Sequence, residues 1–171
     1  MTTEPSASET ALVSLAEYTG PELIVPRLSG SDRTAAIKEL SQRLEHAGRI
    51  RDMLAFYHAT LNQEFFQNSA TEEGSAFPHA RMANLPQLSF AFGRADTPLP
   101  WGPKGAQPVR LVFLLAVPET ATTEHLNLMS GFGRLHREPR LLARLRAATD
   151  TFEMLRVLTE VRWRVHPPTP A

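Results

Sequence analysis

Apolar positions recur along the chain at two spacings, and the switches between them mark the elements. Ala36, Ile37, Leu40, Leu44 and Ala47 stand three to four residues apart, with turn and cap residues Ser29 to Asp32 before them and Gly48 after. This predicts an amphipathic helix from about Asp32 to His46. Met53, Leu54, Tyr57, Leu61 and Phe65 repeat the stripe and predict a second helix from Ile50 to about Phe66. Strand patterns differ. Glu22 to Pro26 is a short β-prone run closed by proline, and Leu88 to Phe92 alternates. Val109 to Val117 is apolar apart from Arg110, as suits a central strand covered on both faces. Between these last two, Asp96 to Pro108 holds four prolines and two glycines, which predicts a loop or a hairpin connection.

The C-terminal half returns to helical spacing. Thr120 to Thr123 offer cap hydroxyls before a stripe of Leu126, Met129, Phe132 and Leu135, so a helix is expected from near Thr122 with His125 in its first turn. Gly131 and Gly133 inside it each cost about 1 kcal/mol relative to alanine and imply a close neighbour, such as another backbone. Pro139 can open a further helix carrying Leu141, Leu142 and Leu145, and Thr149-Asp150-Thr151 caps a last one with Phe152, Leu155, Leu158 and Val161. The order β-α-α-β-β-β-α-α-α predicts an α/β three-layer sandwich, a small mixed sheet flanked by helices. Residues 1–20 are expected to be a flexible start that could form a short helix near residues 9–18. Residues 21–162 form the domain, and 163–171 a disordered tail rich in proline.

Composition narrows the function more than the fold. The 171 residues suffice for one domain with a substantial core, and their 18 basic and 18 acidic side chains balance. A balanced chain sets up no global field for a phosphate backbone or an anionic membrane, so no nucleic-acid partner is expected. The chain has no cysteine, which excludes disulfides, a thiolate nucleophile and cysteine-ligated zinc. No apolar run approaches the roughly 20 residues of a membrane span, so no membrane insertion is expected and the default location is cytoplasmic. The histidines show no metal-ligand spacing, and no metal or other cofactor is expected.

The candidate chemistry sits in Gly74-Ser75-Ala76-Phe77-Pro78-His79-Ala80. Proline fixes its own φ and pushes Phe77 toward an extended conformation, so this run should end a short strand and hold His79 at its mouth. Stiff backbone suits a nucleophile; an ordinary histidine at a strand end would look the same in this heptapeptide.

Three blocks together supply the context. Ala76-Phe77-Pro78-His79-Ala80, then Leu99-Pro100-Trp101-Gly102 with Pro108 to Glu119, then Glu124-His125-Leu126-Asn127-Leu128-Met129 resemble the type 2 enzyme IIA domain of the bacterial phosphoenolpyruvate-dependent sugar phosphotransferase system, the fructose, mannitol and nitrogen-regulatory group. The resemblance runs from about Glu22 to Val161. It implies that His79 accepts a phosphoryl group from a phosphorylated HPr-like carrier and passes it to an enzyme IIB. It also implies that His125 steadies the phosphate, with Gln63, Glu64 and Ser75 as possible support. At a helix start the positive end of the macrodipole disfavours a proton on His125, while backbone N–H groups favour an anion. Two features depart from the family pattern. Gln63 stands where close relatives carry an arginine before the glutamate, which predicts weaker charge stabilisation there. Glu72 and Glu73 stand in a loop often written Ser-Thr-Gly-x-Gly-x-Gly, and would repel a phosphate unless they point outward. A regulatory protein that selects a partner by the phosphorylation state of His79, and a binding protein that has lost phosphorylation, remain open alternatives.

Overall fold

The computed structural model describes residues 10–166. Its strands are β1 (Ala11–Ser14), β2 (Ile24–Val25), β3 (Ser75–Ala76), β4 (His79–Met82), β5 (Ser89–Trp101), β6 (Gln107–Pro118) and β7 (Arg162–Val165). Its helices are α1 (Arg33–His46), α2 (Met53–Phe66), α3 (Thr122–His136), α4 (Pro139–Ala147) and α5 (Thr151–Glu160). Asp32, Asp52 and Asp150 cap α1, α2 and α5 by accepting from backbone N–H groups three residues on, which satisfies donors that a helix leaves unpaired. The N-cap of α3 is Ala121, without a side-chain cap. The threonine hydroxyls expected there do not cap it.

β5 and β6 form an antiparallel hairpin at the centre of a mixed sheet, with β2 parallel to β5 on one side and both β3 and β4 parallel to β6 on the other. Successive residues of β6 point to opposite faces. Phe113, Leu115 and Val117 join one core with residues of α3, α4 and α5, while Val112, Leu114 and Ala116 join a second with residues of α1 and α2. The expected three layers are thus present, and β6 is buried on both faces as its apolar run required. No helix among the described residues is long and apolar enough to cross a membrane.

Three expectations need adjustment. The hairpin strands are longer than the sequence suggested: pairing continues to Trp101 opposite Gln107, past an irregularity between Arg94 and Leu99. Pro98 falls within that irregularity, so its missing N–H interrupts no ladder bond. The segment Ala11–Ser14 is a strand rather than a helix, followed by a 3-10 turn over Leu15–Tyr18. It pairs antiparallel with β7, whose Trp163 is buried, so regular secondary structure extends beyond residues 21–162 at both ends. The remaining tail, Pro167 onward, lies outside the described residues. Gly131 does have a close neighbour, but it is the Trp163 indole, 2.4 Å from where a Cβ would sit. A Cβ on Gly133 would meet open space.

Candidate active site

β3 and β4 are one strand path broken at Phe77-Pro78. Proline has no N–H to donate to the ladder, and pairing with β6 resumes at His79, in register with Leu115. His79 therefore opens a strand, where the sequence had it closing one. The break is firmly held. Leu115 N–H donates to Pro78 O at 2.9 Å, and the Phe77 ring stacks on Phe113 at 5.3 Å and tilts against Phe132 at 4.9 Å. His79 Nδ1 lies 3.2 Å from Phe77 O. A carbonyl only accepts, so this contact assigns the ring proton to Nδ1 and leaves the lone pair on Nε2.

His125, in the first turn of α3, faces this ring with centroids 5.4 Å apart and planes at 55°. Its Nδ1 is 3.2 Å from Arg81 Nη2. A guanidinium only donates, so Nδ1 accepts and the imidazole proton sits on Nε2. Burial holds the His125 pKa below its ordinary value, helped by repulsion from His79 and from Arg81. The direction is that expected from its place at a helix start, but burial is the largest cause. Both rings line one cleft of about 480 Å³, together with Phe77, Met129, Phe132, Gly133, His136 and the loop residues Gln67, Asn68, Ser69, Thr71 and Glu73.

That loop is anchored from below by Glu64. Its Oε1 accepts from Trp101 Nε1 at 2.7 Å, from Ser69 Oγ at 2.8 Å and from Ser69 N at 3.0 Å. Ser69 Oγ in turn accepts from Phe77 N at 2.9 Å. Glu64 is buried beneath the site and fixes the backbone just ahead of His79. Ser75 is also buried, its hydroxyl 2.8 Å from Nε2 of His136. Gln63 is exposed and absent from the cleft lining. Of the two loop carboxylates, Glu73 lines the cleft and Glu72 does not.

Sequence reasoning passed over Arg81 and His136. The signal for Arg81 was its spacing: two residues beyond His79 on a strand puts both on one face. His136 follows Phe132 and Gly133 along the cleft side of α3, and a helix-end histidine carries no such mark in a sequence.

Comparison with known proteins bears on the same segments. The chain is 31% identical over 144 residues to a nitrogen regulatory protein of Bradyrhizobium diazoefficiens, covering 84% of this chain and 94% of that one. It is 33% identical over 132 residues to the 2-O-alpha-mannosyl-D-glycerate-specific EIIABC component of the PTS system of Escherichia coli, covering 76% of this chain but 20% of that longer protein. The crystal structure of the nitrogen regulatory protein IIA-Ntr from Neisseria meningitidis superposes with a TM-score of 0.77 at 25% identity, over 85% of this chain and 99% of that one. The model of the phosphoenolpyruvate-dependent sugar phosphotransferase system EIIA 2 family matches residues 17–161, and the chain belongs to that family.

Proposed function

We propose that His79 carries a phosphoryl group, accepted from a phosphohistidine of an HPr-like protein and passed on to an enzyme IIB. The observation that carries this is the pairing of the two rings, a free lone pair on His79 Nε2 beside an N–H donor on His125, in one open cleft. The Nε2 lone pair attacks phosphorus in line, and the N–P bond of the donor breaks as the new one forms. The donor ring, protonated on its other nitrogen, leaves as imidazole, and His79 keeps its Nδ1 proton against Phe77 O. No net proton moves. Positive charge that develops on the His79 ring is met by that carbonyl, which keeps the phosphoramidate ready to transfer. His125 N–H donates to the phosphoryl oxygens, and positioning and charge supply the catalysis. Such a carrier would work in the cytoplasm.

A regulatory use of the same phosphohistidine is the second reading. Nitrogen regulatory proteins are among its relatives, at 31% and 25% identity, beside a transport component at 33%. Incubation with phosphoenolpyruvate, enzyme I and HPr should give an acid-labile phosphoryl adduct by mass spectrometry, absent from His79→Ala. No adduct on the wild type, or an equal adduct on the variant, defeats the proposal. Passage of the label to a IIB supports the carrier; an adduct that stays put supports the regulator.

A further inference from the structure

We infer that Arg81 is a positioning residue of this site, acting through His125 to present the His125 Nε2–H to the phosphoryl group and supplying the cation that the cleft wall lacks. The inference rests on the phosphoryl-transfer reading of His79 and His125. Its first support is geometric. Arg81 leaves β4 on the face that His79 occupies, and its guanidinium spans three acceptors at the junction of β6 and α3. Nη1 donates to Thr122 Oγ1 at 3.2 Å and to Glu119 O at 3.4 Å, while Nη2 donates to His125 Nδ1 at 3.2 Å. A planar fork held at three points favours one orientation and one tautomer of the imidazole.

The second support is electrostatic. The residues lining the cleft include no lysine or arginine, and Glu73 is among them. A phosphoryl group arriving there meets a carboxylate and three imidazoles, those of His79, His125 and His136. Gln63 brings no charge and stands outside the lining. Arg81 donates to His125 Nδ1, and its charge reaches the site through the His125 ring: withdrawing electron density at Nδ1 makes Nε2–H the stronger donor.

Long-range proton–nitrogen NMR of the intact protein, without any phosphodonor, reads this coupling. Wild type should show His125 Nδ1 unprotonated and Nε2 protonated. In Arg81→Gln the two nitrogens should move toward a tautomer mixture, and the His125 midpoint should rise toward the ordinary value of about 6.5. Arg81→Lys, which keeps the charge and one donor, should restore the midpoint. With the phosphodonor system, Arg81→Gln should slow His79 phosphorylation about tenfold, while in a His125→Ala background the same change should matter less than about twofold. Arg81 is exposed, and matching thermal melts would exclude unfolding as the cause. Unchanged His125 nitrogens and midpoint in Arg81→Gln overturn the inference, as does an equal slowing with and without His125. A wild type that shows the NMR coupling yet takes no phosphoryl group would instead defeat the phosphocarrier reading and leave the Arg81–His125 coupling standing.

Discussion

Glu73 brings a negative charge to the wall of the cleft into which His79 opens. A hydrogen bond from its own backbone, and one from the Thr71 side chain, hold its carboxyl below the usual carboxylate range, so it is ionised at neutral pH. An incoming phosphohistidine shares the cleft with this charge. Replacing it by glutamine should speed His79 phosphorylation by roughly two- to fivefold at low salt, with the difference shrinking as salt screens the rim. Initial rates at two ionic strengths check this; an equal or slower variant would mean that Glu73 faces the partner and not the phosphate. Residues differ in how far a sequence reveals them. The two histidines stand out only through the three-block resemblance, since a preceding proline or a helix start would look the same around an ordinary histidine. Arg81 is not, since its partner His125 lies 44 residues away and nothing local says that β4 continues past His79. Glu64 is visible only as a polar residue on a helix, and its burial under the loop depends on Trp101, 37 residues on.

Elements show what that burial does. The end of α2, the loop over residues 67–74 and the far end of β5 meet at the Glu64 carboxylate, where three donors converge on one oxygen. Glu64→Ala would leave the Trp101 N–H and the Ser69 N–H without their acceptor. It should lower stability by about 2–4 kcal/mol in urea denaturation, with Glu64→Gln milder because an amide oxygen still accepts. It should also slow phosphorylation, because Ser69 would no longer be fixed where its hydroxyl receives the Phe77 N–H. A loss below about 1 kcal/mol would show that water replaces the carboxylate and that the loop is not held from below. Helical elements were legible from their 3.6-residue spacing, and β6 from its apolar run. The length of β5 was hidden by its prolines, because whether a proline breaks a strand depends on what lies opposite it. Pro100 faces Pro108 across the hairpin, a pairing that no single run of residues announces.

At the scale of the whole molecule, the first and last strands of the described residues pair on the α3 side of the sheet. β1 and β7 each have four residues, too few to read as strands alone, and each is completed only by the other. Their junction is Trp163, 4% exposed, stacked on Tyr18 at 6.3 Å and seated in the space that Gly131 leaves on α3. Trp163 is not part of the cleft lining, so stability and phosphoryl transfer should separate there. Trp163→Ala is expected to cost about 3–5 kcal/mol, yet to leave the His79 phosphorylation rate of the folded protein within about twofold. Gly131→Ala tests the same contact from the helix. With Trp163 present, the new Cβ would fall 2.4 Å from the indole Cη2, an overlap expected to destabilise by about 1–3 kcal/mol. With Trp163 already alanine, the overlap is gone, and the substitution should gain about 1 kcal/mol of helix propensity. The sign of one substitution therefore turns on a ring more than thirty residues away in the chain. Urea denaturation of the four proteins measures the coupling directly: a Gly131→Ala effect of the same sign and size in both backgrounds would mean that Trp163 is not what holds position 131 to glycine.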